Sequence, residues 1–222
     1  MDVREALYTT RAMRRVRPDP IPTDVQARIL DAAIRAPSGG NTQNWRFVLV
    51  DDPGIKARLG PLYRECMAEL WAGPYRERFE HARATPDDAA SAAALRMRAS
   101  AQHLADQFEG VPLFLFAFTR NDPTGGSIFP AVWSAQLAAR AEGVGSALTT
   151  VLGHYRGDQT MEILGVPGGH GWHMACCVSF GYPTGRWGVA PRRPAHEVAY
   201  RNAWGADVGL RVPEPLWGGG SS

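Results

Sequence analysis

The run Ala36-Pro37-Ser38-Gly39-Gly40-Asn41-Thr42-Gln43-Asn44-Trp45 concentrates the residue types that hold a ligand. Pro37 stops a preceding helix, because it lacks an N–H and clashes with the turn before it. Gly39 and Gly40 permit positive φ and close backbone approach. Ser38, Asn41 and Gln43 both donate and accept hydrogen bonds. A plain surface turn needs two or three such residues, so a run this long points to a ligand. Two further segments carry clustered positive charge. One is Thr10-Arg11-Ala12-Met13-Arg14-Arg15-Val16-Arg17 near the N-terminus. The other is Pro191-Arg192-Arg193-Pro194, after Gly181-Tyr182-Pro183. Arginine forks suit phosphate and carboxylate groups.

The elements between these segments must position them. Asp2 to Tyr8 reads as a short helix, and Pro18 to Pro22 as a rigid extended connector. Thr23 and Gln26 match a capping box at the start of a helix whose apolar face is Ile29, Leu30, Ala33 and Ile34. Phe47–Val50 is a short strand, anchored by Trp45. From 56 to 107 the chain reads as helical and charged, divided by Pro74 and Pro86, with Tyr63, Trp71, Tyr75 and Phe79 as core, dimer or lid aromatics. Pro112 to Phe118 is the unbroken apolar run of a strand covered on both faces. A helix over 130–142 ends at Gly143. A third strand is expected over Ser146–Val151, a short helix over Asp158–Leu164 and a fourth strand over His173–Phe180. Strands and helices mix without strict alternation, which predicts an α+β three-layer sandwich, a mixed central sheet covered by helices, with an extended C-terminal arm. Residues 1–205 are expected to form a single domain, with 60–110 as its variable region. Residues 206–222 are expected to be an arm and flexible tail.

Bulk properties narrow the function. The 222 residues carry a net charge of +2, which does not imply a nucleic-acid surface, where a stronger clustered excess is usual. Nothing resembles a signal peptide or a membrane span, so no membrane partner and a cytoplasmic location are expected. Lys56 is the only lysine, which coding bias toward arginine explains. Cys66, Cys176 and Cys177 make a poor disulfide framework. The adjacent pair, in a strand, points to opposite faces. His154, His170 and His173 lack metal-ligand spacing, so no metal is expected. No nucleophile elbow, triad order or phosphate loop is present. Phe129 and Trp133 could line a substrate pocket or pack in the core.

Taken together, the three motifs, the Glu142-Gly143-Val144-Gly145 turn and the Leu164-Gly165-Val166-Pro167 step resemble the nitroreductase family of flavin mononucleotide (FMN) enzymes. The resemblance covers most of residues 2–205 and is weakest from about 60 to 110. It implies an FMN-dependent homodimer with the flavin at the subunit interface. Hydride would pass from NAD(P)H through the flavin to an electron-poor small-molecule acceptor, a nitroaromatic or quinone, in a ping-pong cycle. It implies cofactor contacts from Arg11, Ala12, Met13 and Arg14, and from Arg192 and Arg193 of the C-terminal basic group. It also implies contacts from Leu148, Thr149 and Thr150, and, offered to the partner subunit, from Pro37, Ser38, Gly39, Asn41 and Gln43. No protein side chain need be catalytic, because the flavin carries the chemistry. The chain departs from the family pattern at Thr10, where arginine is frequent, at Ala12, where serine is, and at Asn44, where proline is. Two other readings follow: a flavin-binding protein without turnover, or a specialised branch that destroys flavin or removes halogen.

Overall fold

A computed structural model describes residues 1–218; the last four residues of the expected arm and tail, 219–222, lie outside them. The chain forms two compact units. One is Arg11–Arg186; the other joins Met1–Thr10 to the chain from Trp187 onward. The second unit holds α1 (Val3–Thr9), capped by the Asp2 carboxylate, which accepts from the Arg4 amide at 2.9 Å. Most of its remaining chain is irregular, with one short 3-10 turn at Ala195–Glu197.

The larger unit runs α2 (Thr23–Ala33), β1 (Trp45–Val50), α3 (Pro53–Ala72), α4 (Arg76–Ala84), α5 (Ala89–Asp106), β2 (Leu113–Thr119), α6 (Ile128–Ala141), β3 (Gly145–Thr149), α7 (Val151–Ile163) and β4 (His173–Gly181). The strands form one sheet in the order β1-β2-β4-β3, and every ladder is antiparallel. The mixed character expected of the sheet reduces to one isolated parallel bridge, Ala12 to Ser146.

β2 explains the layering. Its residues are all buried, and they alternate between two cores. Leu113, Leu115 and Ala117 join Val25 and Ile29 of α2 and Ile128 and Val132 of α6. Phe114, Phe116 and Phe118 join Leu59 of α3, Leu104 of α5 and Leu152 of α7. A strand covered on both faces needs apolar side chains at every position. Cys176 and Cys177 fall into opposite cores, as adjacent strand residues must. A bulge at Ala175, between the pairs Ala117–Cys176 and Phe118–Met174, resets that alternation toward the start of β4.

Local chemistry sets most helix ends. Asp52 and Asp88 cap α3 and α5 by accepting from Ile55 and Ser91 amides, each at 2.8 Å. Gly143, at φ 73°, closes α6, and the Val144 amide donates to the Ala139 carbonyl at 2.8 Å. Two expectations need correction. Thr23 is the first residue of α2 rather than its cap; Pro22 holds that position, and the Gln26 side chain donates to the Ile21 carbonyl at 2.7 Å. The third strand ends at Thr149, and the helix expected over 158–164 already begins at Val151, with a kink at Arg156. Thr149, Thr150 and Val151 are β-favouring residues, but packing decides: Leu152 is fully buried, and Gly153 lets the Met174 carbonyl approach within 2.8 Å of where a Cβ would stand.

Candidate functional site

The basic segment crosses the end of the sheet where β3 begins and β4 finishes. The Met13 amide donates to the Ser146 carbonyl at 2.8 Å, and the Arg17 amide to the Tyr182 carbonyl at 2.8 Å. The Thr184 amide donates to the Arg15 carbonyl at 3.0 Å. Two glycines, opposite each other in register, make room for this crossing. A Cβ on Gly145 would stand 2.8 Å from the Met13 Cβ, and one on Gly181 would stand 2.7 Å from the Val16 Cβ. The segment therefore lies directly on the sheet, and its side-chain directions are fixed by backbone bonds.

Arg14 is directed inward. Its guanidinium donates to the Ser100 hydroxyl of α5 at 3.3 Å and lies within electrostatic reach of the Tyr63 phenol of α3. A hydrogen bond joins Tyr63 to Thr149 at the end of β3. Burial holds the Arg14 pKa below the usual guanidinium range, and burial pushes the Tyr63 phenol upward. Among the described residues no carboxylate forms an ion pair with Arg14. A half-buried cation with hydroxyl neighbours and no counter-charge is a site that favours an electron-rich or anionic ligand. These donors fit FMN, whose phosphate and ring heteroatoms need cationic and hydroxyl partners.

The structure thus joins Arg14 to Thr149 through Tyr63, and it places Ala12 and Met13 against Ser146 of the same strand. Leu148 is half-buried and Thr150 exposed, at the N-cap of α7. Arg11 is exposed and donates to the Arg186 carbonyl at 2.8 Å. Arg192 and Arg193 belong to the other unit, where both are exposed. Thr10, also in that unit, is buried and donates its hydroxyl to the Ala6 carbonyl at 2.7 Å. Tyr63 and Ser100 were not singled out as ligand groups from sequence. Tyr63 reads as one aromatic among several, and Ser100 carries no local signal. Trp71, Tyr75 and Phe79 instead pack on one another, with centroids 5.3 to 5.9 Å apart.

The 36–45 run is built differently. After Ser38 it makes a 3-10 turn, Gly39–Asn41, and Gly40, Asn41 and Gln43 all have positive φ. The Gln43 amide donates to the Ser38 hydroxyl at 3.2 Å, and the Gln43 side chain donates to the Asn41 carbonyl oxygen at 3.0 Å. The Gly39 amide donates to the Ser127 hydroxyl, before α6, at 3.2 Å. Pro37, Gly39, Asn41 and Gln43 are exposed. Phe129 and Trp133, on α6, are 39% and 41% exposed, so neither packs fully in the core.

The thiols are chemically quiet. Burial pushes Cys66 up to about 11 and Cys176 up to about 12, and raises Cys177 well above its ordinary value. A thiolate is the reactive form, so none of the three is poised to react near neutral pH. Among the described residues no group of His, Cys, Asp and Glu is arranged to hold a metal ion. No described helix is long and apolar enough to cross a membrane.

Comparison with known proteins agrees with this architecture. The model of the nitroreductase family matches residues 7–182. The chain belongs to the nitroreductase family. Within the family, a 5,6-dimethylbenzimidazole synthase of Rhodospirillum rubrum is 32% identical over 67% of this chain and 69% of that protein. An NADH dehydrogenase of Thermus thermophilus is 46% identical, over 27% of this chain and only 29% of that protein. A solved iodotyrosine deiodinase bound to FMN and 3-iodo-L-tyrosine superposes with a TM-score of 0.67, covering 86% of this chain and 95% of that one at 20% identity. At that identity the likeness speaks for the fold.

Proposed function

We propose that this family member is an FMN-dependent oxidoreductase that uses NAD(P)H to reduce an electron-poor acceptor, a nitroaromatic or quinone, and works as a homodimer. The observation that carries the reading is Arg14: a half-buried guanidinium set among the hydroxyls of Ser100 and Tyr63, without a carboxylate partner among the described residues. When bound, FMN supplies the electron transfer, accepting hydride from the nicotinamide and giving it to the acceptor.

The residues of this chain bind and orient. Arg14 neutralises an electron-rich edge of the cofactor, with Tyr63 and Thr149 fixing its surroundings. Arg11, Arg192 and Arg193 supply forks for the phosphate. The Ala12 and Met13 backbone and the Leu148–Thr150 stretch form the wall beside the ring. Pro37, Ser38, Gly39, Asn41 and Gln43 are offered to the partner subunit's flavin, so each chain completes its partner's site. The 60–110 region sets acceptor choice. No side chain is required as an acid or base.

Steady-state oxidation of NADH and NADPH with menadione or a nitroaromatic tests this. Turnover with either nicotinamide is expected. Bound flavin that neither nicotinamide reduces would overturn it. The similarity to a 5,6-dimethylbenzimidazole synthase favours, as a second reading, a branch that destroys flavin. Consumption of reduced flavin under oxygen, with no response to nicotinamide, would select that branch.

A further inference from the structure

We propose that a cleft beside the crossing segment, which meets the flavin contacts at Arg14 alone, is a second ligand site, for an organic phosphate monoester. The cleft measures about 380 Å³, within the roughly 300–1,000 Å³ usual for small-molecule sites. Its polar side is Arg14, Arg15, His103, Gln107 and Thr184; its apolar side is Val16, Pro18 and Val111. Arg14, Arg15, His103 and Gln107 offer hydrogen-bond donors, and no lining residue carries a carboxylate.

The nearby acids are engaged elsewhere. Glu109 forms a two-pronged pair with Arg64, at 2.8 and 3.0 Å. Asp19 pairs with Arg17 at 3.0 Å, and Asp106 accepts from Gln102 at 2.8 Å. Nothing in the lining therefore balances the positive charge. The donors are also held in place. Arg15 Nη1 lies 3.2 Å from His103 Nδ1, so Nδ1 accepts and the ring proton resides on Nε2, which remains a donor. Thr184 is tied to the Arg15 carbonyl through both its amide, at 3.0 Å, and its hydroxyl, at 3.3 Å. His103 and Gln107 stand one helical turn apart, on a common face at the C-terminal end of α5.

An array of donors beside an apolar wall suits a molecule with a terminal dianion and a hydrophobic body. The three terminal oxygens of a phosphate monoester satisfy more of these donors than a carboxylate does. Of the residues assigned to the flavin only Arg14 touches the cleft; Arg11, the end of β3 and the 37–43 loop do not line it. The two sites therefore share one side chain, and the rest of the cleft lies apart from the proposed flavin contacts.

Phenyl phosphate is the probe, titrated calorimetrically into the full-length protein with and without added FMN. Saturable binding tighter than about 1 mM is expected. Benzoate is expected to bind about tenfold more weakly or worse. Arg15→Gln should weaken phenyl phosphate about tenfold or more, by loss of a charged hydrogen bond. Gln107→Glu, at an exposed helix end, should abolish binding without lowering the melting temperature. Arg17→Gln, removing a charge already paired with Asp19, should change little. Absence of saturable binding, or equal weakening by Arg15→Gln and Arg17→Gln, overturns the proposal. So does release of FMN by phenyl phosphate, which would make the cleft the flavin's own phosphate site. Failure of FMN to bind leaves the phenyl phosphate result to be judged alone.

Discussion

The crossing segment Arg11–Arg17 and the loop 36–45 carry most of the assigned cofactor contacts, yet different physics shapes them. The crossing segment is held by the rest of its unit: backbone bonds to Ser146 and Tyr182, and two glycines whose missing side chains are its seat. The loop is held largely by itself, through Ser38, Asn41 and Gln43, with three residues in the left-handed region. Left-handed backbone at a residue with a side chain costs on the order of 1–2 kcal/mol. The chain thus places its cations by packing, whereas the small polar loop holds its shape by local bonds, against the left-handed cost at Gln43.

Breaking the first arrangement should have the larger effect. Gly181→Val places a branched side chain into Val16 and should destabilise the protein by about 1–3 kcal/mol, read by denaturant unfolding, with loss of retained flavin. Arg14→Met comes next and separates binding from folding. It removes a desolvated cation, so the melting temperature should hold or rise, while FMN affinity falls about tenfold or more. Unchanged affinity would remove Arg14 from the site. Gln43→Gly relieves the left-handed strain. It should change stability by at most about 1 kcal/mol, in the stabilising direction, while weakening flavin retention. A stabilised variant that retains flavin fully would take Gln43 out of the contact set. The smallest expected effect is none: native protein at neutral pH should not react with a thiol reagent over minutes, because burial keeps all three cysteines protonated.

The same contrast explains what the amino-acid order made legible. β2 announces itself, since an unbroken apolar run has few other uses, and Gly143 ends α6 by a rule that acts within one turn. The 36–45 run is legible because its chemistry is local. Arg14 is legible as a cation, but its setting is not: Tyr63 and Ser100 come from α3 and α5, far along the chain, and only the packing of those helices against the sheet brings Tyr63 to Thr149 and Ser100 to Arg14. α7 is misread at its start for the same reason. Thr149 to Val151 favours a strand locally, and the burial of Leu152 against β4 overrides it.

The proposed function requires that this chain hold FMN, with Arg14 as a principal contact. Equilibrium titration of the flavin-free protein with FMN, followed by quenching of flavin fluorescence, tests it most directly, with Arg14→Met beside the unsubstituted chain. Saturation at one FMN per chain is expected, with a loss of affinity of about tenfold or more in the variant. Protein that neither carries flavin when purified nor binds added FMN would contradict it.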